Sequence, residues 1–256
     1  MPAQILSEAI LPVEEYDTFI FDLYGTLVDI HTDEDFDAWG QLAMFYGFYG
    51  AHYTPWELRD SYRMLIDEHE SLLKHDLDLM KKDDTHESSP EIEITKIFSQ
   101  LFENKNVKAD PALVLHASQL FRIATIEHLN LYPGTKKMLF TLRALGKKVY
   151  LLSNAQRVFT EYEMRYLDIE HFFDRIYISS DHETKKPDPR FFMTLLQECK
   201  IDTSRALFVG NDGIADIKGS KMVGLQTFYV QSNISPKEPI PEDTDYAVPN
   251  FTEWKC

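Results

Sequence analysis

Cysteine is scarce in this sequence, and its scarcity argues against two kinds of cross-linked structure. The 256 residues contain two cysteines, Cys199 and Cys256, which lie far apart and outside any Cys-x-x-Cys spacing. Such a pair indicates neither a disulfide framework nor a cysteine-based zinc site. The sequence therefore favours a reducing compartment, and we expect the protein to be cytoplasmic.

Long apolar runs and an excess of positive charge are lacking as well. No stretch approaches the ~18 consecutive apolar residues of a membrane span. Residues 1–17 show no basic segment ahead of an apolar one, so we expect neither export nor a membrane partner. The 42 acidic residues outnumber the 26 Lys and Arg and give a formal charge of −16. Because this charge repels phosphate backbones at long range, we expect no nucleic-acid partner.

Short apolar runs are abundant, and each has the form of a buried strand. The run from Thr18 to Phe21 ends in polar residues and a glycine, which is typical of a buried parallel strand entering a loop. Comparable runs recur at residues 148–152, 175–178, 206–209 and 226–229. Between them, the apolar spacing of residues 135–145 and the Asp188-Pro189 start signal predict helices. This alternation predicts an α/β fold with a doubly wound, Rossmann-like parallel sheet.

One long segment departs from this alternation. Residues 31–131 show helical spacings, few strand-like runs, and a charged interruption with chain-breaking residues at 81–90. We interpret 31–131 as a mostly α-helical domain inserted into an α/β core that comprises residues 1–30 and 132–256. The aromatic-rich piece from Trp39 to Tyr53 is then most simply part of the core of the inserted domain.

Polar residues follow several of the predicted strands. Asp22, the pair Ser153-Asn154 and the pair Asn211-Asp212 come directly after apolar runs. Because the carboxyl ends of parallel strands meet at one edge of the sheet, we expect these side chains to converge. Asp22 is followed by Gly25, which lets the backbone approach a ligand, and by the hydroxyl of Thr26. A carboxylate in this setting can attack an electrophile that neighbouring donors hold in place.

Four segments resemble the motifs of the haloacid dehalogenase superfamily, in their expected order. The segments are residues 22–26, 152–154, 186–189 and 209–217. Each match is weak alone, but four in order, each beside a predicted strand or helix start, argue against chance. The resemblance implies the helical-cap subgroup, in which the inserted domain is a cap that closes over the site and selects the substrate.

The resemblance also implies a role for each matched residue. Asp22 would attack the substrate and form a covalent aspartyl intermediate, most simply an aspartyl-phosphate. Lys186 would add positive charge to the clamp on the transferring group, since the family motif places the lysine directly before proline. The substrate-binding residues of that clamp would be Thr26, Ser153 and Asn154.

Two lysines and two arginines complete the list of cations considered. Lys185 competes with Lys186 for the motif position, and the neighbouring proline decides in favour of Lys186. Arg122 and Arg157 could contact an anionic substrate, but a surface position is the simpler expectation for both.

A Mg²⁺ site follows from the same resemblance. A phosphate dianion beside an ionised aspartate needs a bridging cation, and Mg²⁺ prefers hard oxygen ligands. The ligands would be the Asp22 carboxylate, the backbone carbonyl of Tyr24 and an acid of the fourth motif. Asp212 is our first choice for that acid, because Asn211 stands where many relatives carry Asp. Asp216 would be a ligand or a supporting acid, and a simple position at a helix surface or N-terminus is an equal alternative.

Tyr24 is the largest departure from the family pattern. Phosphatases of this superfamily usually carry Asp there, as the acid and then the base of the reaction. Tyrosine, with an ordinary pKa of about 10, can donate a proton but is a poor base at neutral pH. The 2-haloacid dehalogenases share the Asp-Leu-Tyr-Gly-Thr run, yet they tend to lack the acids found here at 212 and 216.

Three functions remain open at this point. We favour a Mg²⁺-dependent hydrolase that removes phosphate from a small phosphorylated metabolite, with catalytic residues Asp22, Tyr24 and Lys186. The alternative is a metal-independent 2-haloacid dehalogenase. A further alternative is a catalytically impaired protein that binds a phosphorylated metabolite without consuming it.

Overall fold

Nine strands form in the computed structural model, which describes residues 3–34, 36–80, 91–237 and 239–255 and omits the side chains of residues 36 and 74–80. They are β1 (Gln4–Ile5), β2 (Thr18–Phe21), β3 (Val28–Thr32), β4 (Ile126–Leu131), β5 (Lys148–Ser153), β6 (Arg175–Ile178), β7 (Ala206–Gly210), β8 (Gln226–Val230) and β9 (Tyr246–Val248). Seven of these described strands form one parallel sheet in the order β1-β9-β8-β7-β2-β5-β6. The sheet confirms the predicted α/β class, and the predicted runs match β2 and β5 to β8.

Helices connect these strands and cover both faces of the sheet. They are α1 (Phe36–Phe48), α2 (Pro55–Met80), α3 (Ile94–Glu103), α4 (Pro111–Thr125), α5 (Thr135–Ala144), α6 (Arg157–Tyr166), α7 (Pro189–Glu198) and α8 (Gly219–Met222), with a π-helical turn at Gly213–Lys218. Short 3₁₀ turns lie at Glu170–Phe172, Ser179–Asp181 and Thr203–Arg205. The start of α7 is as predicted: Asp188 accepts a hydrogen bond from the N–H of Arg190, and Pro189 is the first helical residue.

The strand pleat divides the apolar side chains of the sheet between two cores. Phe19 and Phe21 of β2 face one side, where they pack with Leu139 of α5. Ile20 faces the other side and packs with Phe191 and Leu195 of α7. Successive residues of a strand point to opposite faces, so a fully apolar strand is the pattern that a sheet covered on both faces requires. This burial fixes the position of the residues that follow each strand.

The inserted segment has a separate aromatic core. Trp39, Tyr46, Phe98, Phe102 and Phe121 are buried together by helices α1, α3 and α4. Their rings pack closely: the ring centroids of Tyr46 and Phe102 are 4.0 Å apart, and those of Trp39 and Phe121 are 5.2 Å apart. Cutting one such side chain to alanine costs about 3 to 5 kcal/mol of stability. Residues 81–90, where the sequence predicts a charged interruption, lie outside the described residues.

A two-stranded ribbon joins the inserted helices to the sheet. β3 pairs antiparallel with β4, from Val28 opposite Leu131 to Thr32 opposite Ile126. The sequence predicts a mostly helical segment here, and the short alternating pattern of β3 is too brief to reveal the strand. The predicted boundaries at residues 31 and 131 fall within or at the end of this ribbon, and the division into two domains stays a prediction.

Within the described ranges, no helix combines the length and the apolarity needed to cross a membrane.

Candidate active site

Three neighbouring strands bring the predicted site residues to one edge of the sheet. β2 lies between β7 and β5, so Asp22, Asn211 and Ser153 meet where these strands end. The hydroxyl of Ser153 donates to Oδ1 of Asp22 at 3.2 Å, and the hydroxyl of Thr26 donates to Oδ2 at 3.2 Å. The Asp22 carboxylate is thus held on both oxygens by neutral donors.

Lys186 is the cation of this edge. Its Nζ donates to Oδ1 of Asp22 at 2.8 Å and to Oδ1 of Asp216 at 2.6 Å, and the residue is only 2% exposed. Burial opposes the charge, but the two carboxylates raise the pKa of the Lys186 ammonium above its ordinary value. Lys185 is half-buried and lies near Glu91 instead. Of the two candidate lysines, Lys186 is therefore the one that contacts Asp22.

Asn154 holds the backbone from which Lys186 extends. Its Nδ2 donates to the carbonyl of Lys186, and its Oδ1 accepts from the N–H of Lys186, both at 2.8 Å. This two-way contact fixes the direction of the lysine. The phosphate-binding role that the sequence suggested for Asn154 stays a prediction, and its positioning of Lys186 is the role that the contacts display.

The fourth motif supplies a second buried acid. Asp216 is 1% exposed, and its Oδ2 accepts the N–H groups of Asn211 and Asp212, both at 2.9 Å. Burial raises the pKa of the Asp216 carboxyl above its ordinary value, against the opposing effect of Lys186. Of the positions that the sequence left open, the helix surface is wrong because this acid is enclosed, whereas the helix N-terminus agrees with its place in the first turn of the π-helical turn. Its role as a ligand or a supporting acid stays a prediction. Gly210 leaves room for it, since a Cβ there would lie 2.4 Å from Oδ2 of Asp216.

Asp212 and Asn211 occupy different surroundings. Oδ1 of Asp212 accepts the N–H groups of Ile214 and Ala215 at 2.8 and 2.7 Å, which caps the π-helical turn. Oδ1 of Asn211 accepts from the hydroxyl of Thr26 at 3.2 Å, the same hydroxyl that contacts Asp22. Asn211 therefore lies nearer to the nucleophile position, and a metal-ligand role for Asp212 stays a prediction.

The donor set of this edge fits Mg²⁺. Oδ2 of Asp22 and Oδ1 of Asn211 both lie within 3.2 Å of one hydroxyl oxygen, so a hard cation can reach the two together. In the part of the chain that the structure describes, no three His, Cys, Asp or Glu residues form a ready-made metal centre. The site offers one carboxylate oxygen and one amide oxygen side by side, which are hard oxygen donors of the kind that Mg²⁺ prefers.

Gly25 is required by the close packing of this loop. Its φ of +86° lies in the left-handed region, and a Cβ at this position would lie 2.2 Å from Nδ2 of Asn211. No other residue fits without moving the Asn211 amide. The glycine of the first motif thus places the Asp22 loop against the fourth motif.

Tyr24 points away from Asp22, toward α6. Its hydroxyl donates to Oε2 of Glu163 at 2.5 Å and lies 3.1 Å from the hydroxyl of Thr160. Burial, and after it the Glu163 carboxylate, raises the pKa of the Tyr24 phenol. The phenol therefore keeps its proton at neutral pH.

An ion pair between α4 and α6 completes these surroundings. Nε and Nη2 of Arg122 donate to Oε1 and Oε2 of Glu163 at 2.6 and 3.2 Å. The expectation of a surface position for Arg122 is wrong, because its side chain is enclosed between α4 and α6. Arg157 pairs with Asp181 at the surface, as expected. Sequence reasoning missed Glu163, whose one signal is its place on the buried face of α6 with Thr160 and Met164.

A cavity of about 330 Å³ lies beside the loop that follows Asp22. Tyr24 and Asn154 line it, together with Ile30 of the ribbon, Arg122 of α4 and Phe159 of α6. Its volume is at the lower end of the range for small-ligand sites. The cavity is therefore a candidate space for a small ligand next to the Asp22 loop.

Comparison with known proteins points to one family. The family model described as haloacid dehalogenase-like hydrolase matches residues 16–224. Among curated relatives, the glyceraldehyde 3-phosphate phosphatase of Pyrococcus abyssi is 29% identical over 52% of this chain and 56% of the relative. The phosphoglycolate phosphatase of Pseudomonas putida is 32% identical over 46% of this chain and 44% of the relative. The chain thus spans about half the length of these two relatives.

Solved structures show the same fold over nearly the whole chain. The 2-haloacid dehalogenase from Pseudomonas syringae pv. Tomato DC3000 has a TM-score of 0.60 at 19% identity, over 92% of this chain and 94% of that one. A putative phosphatase from Clostridium difficile has a TM-score of 0.51 at 20% identity, over 93% and 95%. Together with the matched motifs and the family model, these likenesses confirm the resemblance seen in the sequence: the chain belongs to the haloacid dehalogenase-like hydrolases.

Proposed function

We propose that this protein is a Mg²⁺-dependent phosphatase that acts on a small phosphorylated metabolite through a covalent intermediate on Asp22. The observation that carries the proposal is the buried cluster of Asp22, Lys186 and Asp216, in which two acids share one ammonium. The presence of both Asp22 and Asp216 favours a reaction that uses a divalent cation. An incoming phosphate dianion would add further negative charge to these two acids. The names of the curated relatives, which are phosphatases, support the same class.

The reaction needs two displacements at phosphorus. In the first, the Asp22 carboxylate attacks, an O–P bond forms, and the bond from phosphorus to the leaving oxygen breaks. In the second, water attacks the aspartyl-phosphate, which releases inorganic phosphate and restores the carboxylate. The hydroxyls of Ser153 and Thr26 and the ammonium of Lys186 are placed to hold the transferring oxygens and to stabilise their developing charge.

Tyr24 limits this chemistry. The leaving oxygen takes up a proton, and the Tyr24 phenol is protonated at neutral pH and lines the cavity where that oxygen would lie. Its contact with Glu163 makes it a weak acid. The group that gives a proton to the leaving oxygen, Tyr24 or solvent, regains one from the attacking water in the second step. We therefore expect slow turnover of alkyl esters compared with esters whose leaving groups need no proton.

Mg²⁺, when bound, would supply positive charge between the phosphate and Asp22. The residues that would hold it are Asp22 by its carboxylate and Tyr24 by its backbone carbonyl, with Asn211 or Asp212 from the fourth motif. Asn211 is favoured because its Oδ1 contacts the same Thr26 hydroxyl as Asp22 does. Asp212 is favoured because its side chain is a carboxylate, although that carboxylate caps the π-helical turn. Asp216 then has the supporting role, because its two oxygens are engaged by Lys186 and by backbone N–H groups.

A 2-haloacid dehalogenase is the second candidate, and Tyr24 is the observation that favours it. A halide leaves without a proton, so a tyrosine directed at Glu163 would be no handicap. A 2-haloacid carries one remote carboxylate, so a bare aspartate can attack it without a cation. Metal dependence therefore separates the two chemistries.

The test compares p-nitrophenyl phosphate and L-2-chloropropionate, each with Mg²⁺ and with chelator. We expect phosphate release that requires Mg²⁺ and no chloride release. Chloride release that resists chelator, without phosphate release, would overturn the phosphatase. Release of neither product, with no covalent adduct from acetyl phosphate, would identify a binding protein instead.

A further inference from the structure

The ion pair between Arg122 and Glu163 lies at the wall of the cavity beside Asp22. Arg122 lines this 330 Å³ cavity, together with apolar groups of Ile30 and Phe159 and neutral polar groups of Thr32 and Gln156. Among the described residues that line it, Arg122 carries the one formal charge. What this guanidinium offers to a substrate thus decides the charge that the cavity accepts.

Glu163 balances the positive charge of Arg122. It is 2% exposed and takes both Nε and Nη2 of Arg122 in a bidentate contact. Glu163 lines a second cavity, of about 570 Å³, which Arg122 also lines. The guanidinium also lies near the rings of Tyr24 and Phe159, with its Cζ 5.8 and 5.2 Å from the two ring centroids. Arg122 thus borders both cavities while its charge is matched by Glu163.

We infer, on the basis of the phosphatase function proposed above, that the substrate has an uncharged leaving group and that Glu163 sets this specificity by neutralising Arg122. A leaving group with a carboxylate would have to leave water for a cavity with no unmatched positive charge, which is costly. Hydroxyl and carbonyl groups find a neutral partner in Thr32, whereas the amide of Gln156 is engaged by Glu91, Ile92 and Ile94. The names of the two relatives do not distinguish esters with an uncharged leaving group from esters with a charged one. Glyceraldehyde 3-phosphate has an uncharged leaving group, and phosphoglycolate has a carboxylate in its leaving group.

The test uses two esters of equal size, glycerol 3-phosphate and 3-phosphoglycerate, which differ by a hydroxymethyl group in place of a carboxylate. The full chain is assayed in Mg²⁺, with p-nitrophenyl phosphate as the reference. For the unaltered protein we expect kcat/KM to favour glycerol 3-phosphate by about tenfold or more, the size of effect expected for one unmatched buried charge. Glu163→Gln keeps the shape and frees the charge of Arg122, so the preference should disappear or reverse.

Two further variants serve as controls. Glu163→Asp keeps the negative charge and should retain the preference for the uncharged ester. Asp181→Asn removes a carboxylate that pairs with Arg157 at the surface, so it changes the net charge equally and should leave the ratio unaltered. Thermal unfolding followed by circular dichroism shows which variants fold. If Glu163→Gln does not fold, the kcat/KM ratio of the two esters for the unaltered protein tests the inference.

Failure of this inference is distinct from failure of the phosphatase proposal. Hydrolysis of p-nitrophenyl phosphate with a preference for 3-phosphoglycerate, or an unchanged ratio in folded Glu163→Gln, would overturn the inference alone. Absence of phosphate release from every ester in Mg²⁺ would overturn the phosphatase, and the inference with it.

Discussion

Two ion clusters among the described residues, one at the sheet edge and one between α4 and α6, differ in charge balance although they contain similar groups. At the sheet edge, Asp22 and Asp216 share the single ammonium of Lys186. Between α4 and α6, Glu163 is matched by Arg122 alone. The first cluster has an excess negative charge that favours a cation, and the second is neutral. Chemistry that needs charge is thus confined to the sheet edge, and the neighbouring cavity accepts the uncharged part of a substrate.

The first motif links the two clusters through the chain. Asp22 belongs to the charged cluster, and Tyr24, two residues later, donates its hydroxyl to Glu163 in the neutral one. The intervening Leu23 is buried in the main core. One loop therefore contacts both clusters. Substitutions at Asp22 and at Tyr24 test whether the two clusters affect activity independently of each other.

Asp22→Asn breaks the charged cluster most strongly. Asparagine keeps the shape but removes the attacking charge, so kcat for p-nitrophenyl phosphate should fall by about a thousandfold or more. It also leaves Lys186 with one acid, as in the neutral cluster, so the free energy of unfolding should not decrease. Phosphate release and thermal unfolding measure the two effects. Activity within tenfold of the unaltered protein would rule out covalent catalysis by this residue.

Lys186→Ala sharpens the comparison by removing the one cation. Two buried carboxylates would then face each other unpaired, which costs about 3 to 5 kcal/mol in comparable ion clusters. Activity should fall by about a hundredfold or more, since the clamp also loses its charge. Lys185→Ala is the matched control, and should change stability by no more than about 0.5 kcal/mol. Equal effects of the two variants on activity would contradict the assignment of Lys186.

Tyr24→Phe has the smallest expected effect, because it removes only a hydroxyl from the neutral cluster. Burial and Glu163 raise the pKa of this phenol, so the proton stays on Tyr24 from pH 6 to pH 9 and contributes no step to the pH profile. The phenol is a weak acid for the same reason. We expect kcat for glycerol 3-phosphate to fall by no more than about tenfold, where an effective general acid contributes about 10² to 10⁴. A larger loss, or a changed profile above pH 7, would show that Tyr24 is an effective acid.

The sheet edge could be predicted from the sequence because its residues are fixed locally. Asp22 and Ser153 each lie at the end of an apolar strand, and parallel strands end at a common edge. Lys186 was separated from Lys185 by the family resemblance, whose motif places the lysine directly before proline. Strand patterns and short motifs are properties of a few adjacent residues, so a single sequence displays them.

The neutral cluster could not be predicted, because it depends on how two helices pack. Arg122 and Glu163 lie 41 positions apart, on α4 and α6, and neither belongs to a motif. A lone acid or base on a helix is most simply read as a surface residue. The capping contact of Asp212 was equally hidden, because a fourth-motif acid that serves as a ligand and one that caps a helix look alike in sequence.

The interior position of β2 in the sheet has a consequence for the order of folding. Its partners are β5 and β7, and the groups that contact Asp22 include Ser153 and Lys186, which follow it in the chain by 131 and 164 positions. Strands with distant partners pair slowly, because long loops must close before any contact forms. The helices of the inserted segment, with their own aromatic core, make closer contacts along the chain. Asp22 therefore gains its contacts with Ser153 and Lys186 only after most of the chain has been synthesised and paired.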